Sequence, residues 1–177
     1  LDKAVFLEKS KVINKFIFVL GICMFVCLNL FGETVLQFLF KDKYNEAFSI
    51  ILPLSCVMFF RVFCLVYAFA LTISDNQNIR VLVVVVSLII NLVLNFLIVP
   101  RFSYIGAAYV SMLTHIVLAG LYLLYFYKYF KSTLLKLKYV LCFLFVFAVL
   151  VANQFVGSFM ISVSVFMLLI AFVFLMY

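Results

Sequence analysis

Arg61 is the single charge in the apolar run 47–74, fourteen residues after Ala47 and twelve before Ile73. At a rise of 1.5 Å per residue it lies roughly 20 Å from either end of a helix over that run. An arginine side chain cannot reach water from that depth by snorkelling. A guanidinium there costs about 2.5–3.5 kcal/mol on insertion scales unless it faces a polar interior. Two roles meet that condition. One is a structural pairing with carbonyls or a polar side chain of a neighbouring helix. The other is a cation lining a water-filled path for an anionic substrate.

His115 is the second ionisable group in an apolar run, with Ser111 one turn before it on the same face. It suits either a neutral imidazole bonded between helices or a site of proton coupling or substrate contact. Ser87, Asn91 and Asn95 recur at i, i+4 and i+8, a polar stripe along one side of a Val/Leu/Ile helix. Such a stripe must turn inward, where interhelical hydrogen bonds are worth about 0.6–2 kcal/mol each. The cysteines carry less. Cys23, Cys27, Cys56, Cys64 and Cys142 lie in apolar runs without a C-x-x-C pair, and read as small buried hydrophobes with no metal or cofactor implied.

The elements that hold these groups follow from composition. The chain has 177 residues, 70% apolar and 11% charged, with a mean hydropathy of +1.39. Soluble domains carry roughly 25% charged residues, so this is an all-α, polytopic membrane protein. Charged and polar breaks delimit about six transmembrane helices, at 14–39, 47–73, 80–99, 105–128, 137–154 and 158–176. Pro53 is expected to bend the second helix. Pro100 is expected to end the third, and Gly106, Ala107 and Ala108 open the fourth with side chains small enough for close backbone approach.

Lysine and arginine orient the helices. Nine cations (Lys3, Lys9, Lys11, Lys15, Arg80, Lys128, Lys131, Lys136 and Lys138) fall on one side, against Lys41, Lys43 and Arg101 on the other. Both ends are therefore expected in the cytoplasm. The net charge of +7 is an orientation signal and not a nucleic-acid footprint. Residues 1–15 read as an amphipathic cytoplasmic connector, with Val5, Phe6, Val12 and Ile13 on its apolar side. The absence of an initiator Met or signal-peptide pattern suggests a piece of a longer protein, missing an N-terminal part.

The stretch "NLVLNFLIVPRFSYIGAAYVS", 91–111, resembles the N-x-x-x-N-x-x-x-x-P and G-A-A element of the polysaccharide-transporter branch of the multidrug/oligosaccharidyl-lipid/polysaccharide (MATE-like) exporter superfamily. Ser103 stands where that branch usually has a glycine. The segment "VLQFLFKDKYNEAFSIILPL" is similar to the branch's apolar run, "LFG", tyrosine and new helix, with Lys41 replacing the glycine. The segment "ALTISDNQNIRVLVVVVSLIINLVLN" has its short polar turn before the asparagine helix.

The resemblance spans about 16–130. It implies that these four helices form most of the second lobe of a two-lobed transporter. Residues 131–177 would then be an extra C-terminal helix pair. It further implies alternating access about a V-shaped cavity in the bacterial inner membrane. The implied cargo is a polyprenyl-diphosphate-linked oligosaccharide for O-antigen or a related cell-surface polysaccharide. Membrane lipids and polysaccharide polymerase machinery are the further implied partners. The diphosphate is anionic, and arginine offers it bidentate contacts. The candidate cavity residues are Arg61, His115, Asn91, Asn95, Ser87 and Ser111, of which only the asparagine pair matches the family's motif.

Three other readings compete, one of which, a purely structural membrane subunit, would not need Arg61 or the Ser87, Asn91 and Asn95 stripe. A multidrug or cation antiporter of the same superfamily would use buried carboxylates, whereas Glu33 is the only acid within a predicted span. A membrane enzyme such as an O-antigen polymerase would show a sizeable external loop or clustered His, Asp and Arg, and the connections here are short. The expectation is a transporter without enzymatic activity.

Overall fold

A computed structural model describes residues 3–40, 48–131, 134 and 137–156. Four helices fill it: α1 (Lys3–Phe40), α2 (Ile51–Ile73), α3 (Gln77–Phe130) and α4 (Leu137–Val156). The first three are long and apolar enough to cross a membrane. The chain is an all-helical, polytopic membrane protein. The sixth expected helix, 158–176, lies outside the described residues.

α1 has 38 residues, roughly 57 Å against a hydrocarbon core of about 30 Å. The segment expected as a connector is thus helical and runs without a break into the span. Nothing in 3–15 opposes this, since it contains neither Gly nor Pro. Asn14 fixes its place: the side chain is fully buried and its Nδ2 donates to the Leu134 carbonyl at 3.2 Å.

α2 begins at Ile51, so Pro53 is the third helical residue. The amides of a first turn have no carbonyl partner, and a proline there gives up nothing. The expected bend at Pro53 is therefore a helix start.

α3 has 54 residues but is two helices joined at a break, Ser103, where φ is 52° and ψ is −138°. Its outgoing limb, 77–102, and its return limb, 104–130, correspond to the third and fourth expected helices. Helical geometry persists through Pro100, and the chain reverses three residues later. The proline removes one N–H, but it is the positive φ at Ser103 that turns the backbone.

α2 sits between its neighbours, packing against α1 on one side and α3 on the other, while α4 leans on α1. Lipid is as apolar as these side chains, so burial alone does not drive the association. Close aromatic packing and polar clamps do. Phe59 of α2 stacks on Phe143 of α4 at 4.2 Å and 14°. Phe25 of α1 reaches Phe143 at 5.6 Å, and Phe18 meets Phe59 edge-on at 5.6 Å. Tyr67 of α2 meets Phe126 of the return limb at 5.4 Å. A polar clamp ties α1 to α2: Asn29 Nδ2 donates to Ser55 Oγ at 2.6 Å and to its own helix at Phe25 O.

Candidate functional site

The polar stripe of the outgoing limb is turned inward and is wired to the return limb. Asn95 Nδ2 donates to Asn91 Oδ1 at 2.9 Å and to Asn91 O at 3.0 Å. Asn91 Nδ2 crosses to Thr114 Oγ1 at 3.1 Å. The Thr114 hydroxyl then donates to the Val110 carbonyl at 2.8 Å. The result is a one-directional relay that ends in a backbone acceptor. Ser87 is buried and caps the stripe by donating to Val83 O at 2.8 Å, within its own helix. Thr114 had no place among the sequence candidates. Reflecting Asn91 about the turn at Ser103 lands near 114–115, and that register is the signal that could have found it.

This crossing bond makes a prediction. Thr114→Val should leave the Asn91 amide unpaired, at a cost of about 1–2 kcal/mol, and Asn91→Leu should cost a similar amount. The double variant should cost less than the sum of the two. A double-mutant cycle on unfolding free energy in detergent measures the coupling. Strict additivity would show that the bond stabilises nothing.

Among the described residues His115 bonds within its own helix and not to another. It is half-buried, and its Nδ1 lies 2.9 Å from the carbonyl of Ser111 on the same helix. A carbonyl only accepts, so Nδ1 is a protonated, donating nitrogen in this contact. The Ser111 main chain thereby orients the imidazole. Its own side chain is half-buried.

Gly106 and Ala108 are buried and Ala107 is half-buried where the return limb starts. A Cβ on Gly106 would stand 2.8 Å from Phe102 Cβ and 3.0 Å from Ile98 Cγ2. The close approach read from G-A-A is therefore real, and it is made against the end of the outgoing limb.

Arg61 points away from all of this. It lies ten residues, about 15 Å, into α2. It is exposed, in a row with Leu54, Met58, Leu65 and Phe69, all exposed as well. It has no hydrogen bond or ion pair among the described residues. Among these described residues the structural-pairing role thus finds no partner. The guanidinium is presented on the outward face of a membrane-spanning helix. Arg61 and the Asn91–Asn95 stripe accordingly lie in separate places: the asparagines lock the α3 hairpin, and the arginine faces off the bundle.

Cys56 and Cys64 are buried in α2, in keeping with small apolar packing, but Cys23 and Cys27 are exposed on α1. The burial expected for that second pair is not found, because their side of α1 faces away from α2 and α4. The side chain of Cys142 lies outside the described residues.

The chain is similar to the capsular polysaccharide biosynthesis protein CapF of Staphylococcus aureus, at 26% identity over 125 residues. That alignment covers 69% of this chain and 31% of the relative, so the chain spans about a third of that protein's length. No family model matches the chain, and no solved structure matches it.

Proposed function

We propose that this chain takes part in bacterial polysaccharide biosynthesis as part of a membrane transporter. In this reading it flips a lipid-linked oligosaccharide across the inner membrane by alternating access, and it performs no covalent chemistry. The observation that carries the reading is Arg61, an exposed guanidinium near the middle of a membrane-spanning helix. Such a group is stable in a membrane where water, an anion or a polar group of another segment meets it, and an anionic cargo is one way to meet that need. A polyprenyl diphosphate supplies the anion at that depth. The similarity to a capsular polysaccharide biosynthesis protein supports the class of cargo.

The α3 hairpin has a supporting part in this proposal. Its internal relay makes the two limbs one rigid piece, as rocking of a lobe requires. The nine-to-three charge asymmetry supports a cytoplasmic position for the basic end of the bundle in this reading.

The test is transport itself. The full-length protein, reconstituted in liposomes carrying a fluorescent polyprenyl-diphosphate oligosaccharide on one leaflet, should expose that glycan to the opposite side. Movement of small cationic drugs against a proton or sodium gradient, with no glycolipid movement, would instead establish the antiporter reading.

A further inference from the structure

At the basic end of the bundle, opposite the Ser103 turn, lies an open cavity of about 370 Å³. Its wall comes from three separate places: Phe6 of α1, Ile73 to Asn76 at the α2–α3 turn, and Tyr129 and Phe130 at the end of α3. Phe6 and Phe130 lie ring on ring at 5.8 Å and 29°. Asp75 holds a left-handed turn, φ 58°, and is exposed, with no ion pair among the described residues.

The polar wall is rich in acceptors. The Ser74 hydroxyl already donates to Ala70 O at 2.8 Å. The Asn76 amide already donates to Ser74 O at 2.8 Å. The donors of both side chains are thus committed, while the Asp75 carboxylate is an acceptor and nothing else. Aromatic faces beside a carboxylate suit a cation. Yet Lys9, Lys11, Arg80, Lys128 and Lys131 are exposed on elements that converge on the same end, and they would repel a bare cation. A ligand whose ammonium is joined to a phosphate turns that repulsion into attraction.

We propose that this cavity binds a zwitterionic head group, with its ammonium between the aromatic rings and Asp75 and its phosphate toward the surrounding lysines. Choline- or ethanolamine-phosphate chemistry meets the description, and it can reach the site as a phospholipid head group or as a soluble compound. The site is distinct from Arg61 and does not depend on the transport reading.

The full-length protein in phosphatidylglycerol nanodiscs, titrated calorimetrically with phosphocholine and phosphoethanolamine, tests this. Both should bind, and Asp75→Asn should weaken binding about tenfold. Asparagine tolerates the left-handed turn, so an unchanged melting temperature for that variant separates loss of charge from loss of fold. Tyr129→Leu should weaken binding as well. Glycerol 3-phosphate, which has the anion without the ammonium, should bind far more weakly and equally to both forms. Phosphatidylethanolamine retained through purification, and lost in Asp75→Asn, would identify a lipid source. Binding of the soluble compounds without such retention would identify a soluble one. No binding by either compound, unchanged affinity in Asp75→Asn, or equal binding of glycerol 3-phosphate would overturn the proposal.

Discussion

Under the proposed transport role, replacing Arg61 with alanine should reduce glycolipid export by at least tenfold while leaving the amount of membrane-inserted protein unchanged. The two halves of that expectation have different causes. Insertion is indifferent or improved because the side chain packs into no core: it is exposed on the outer row of α2 with Leu54, Met58 and Leu65. Removing a charge from mid-membrane also removes a cost of about 2.5–3.5 kcal/mol. Export falls because a hydrogen bond to a charged partner is worth about 1.5–3 kcal/mol. That corresponds to roughly ten- to a hundredfold in the binding it supports. Arg61→Lys should keep part of the activity, since it retains charge but loses the planar fork that meets two phosphate oxygens at once. Arg61→Gln should behave like alanine.

The measurement is transport rate per inserted molecule, with insertion followed by protease protection. If Arg61 instead pairs with a carboxylate on another segment, the pattern inverts. The alanine variant would then accumulate less, because one buried charge is left alone, and each surviving molecule would transport normally. Normal export at normal abundance would remove Arg61 from any role in cargo handling.

How much of this was legible in the sequence varies with the physical origin of each feature. The spans were legible because charge is costly in lipid: the breaks at Arg80, Arg101 and Lys128 frame the two limbs of α3 to within a few residues. The direction of the stripe was legible for the same reason, since three polar side chains at helical spacing have only one side to hide on. Partners were not, because they depend on register between helices. Asn91 finds Thr114, and Asn29 finds Ser55. Asn91 and Thr114 lie at nearly equal distances from the turn at Ser103, so that register could have been estimated once the hairpin was assumed. Asn29 carries no such mark in the sequence, because a lone asparagine in an apolar run has no periodic companion.

Which way Arg61 faces was illegible for another reason. α2 is apolar on every side, so no contrast between faces marks the one that packs on α1 and α3. The continuity of α1 is not marked in the sequence either, because lysines mark where lipid ends, and a helix is free to continue beyond that point.

The turn at Ser103 carries the second large expectation. Gly106→Ala should destabilise the α3 hairpin by about 2 kcal/mol or more, the range of overpacking in a filled site. The added methyl would stand 2.8 Å from Phe102 Cβ, an atom fixed by the backbone of the other limb and unable to swing aside. Relief would require the limbs to part at their tightest point. The strain would then reach Asn91 and Thr114, whose 3.1 Å bond spans the same two limbs.

Ser103→Gly should act in the opposite direction. A serine at φ 52°, ψ −138° pays a steric penalty that glycine does not, of order 1–3 kcal/mol, less what glycine loses in chain entropy. The resemblance drawn from the sequence implies a glycine at this position, so that departure coincides with the strained residue in the structure. Thermal or denaturant unfolding in detergent should rank the variants as Ser103→Gly above the unsubstituted chain and Gly106→Ala below it. The combination should fall between, because a freer Ser103 lets the turn widen around the new methyl. An unaltered Gly106→Ala protein would mean that the limbs cross more loosely than 2.8 Å implies. A destabilised Ser103→Gly protein would mean that the serine side chain holds the turn by a bond worth more than its strain.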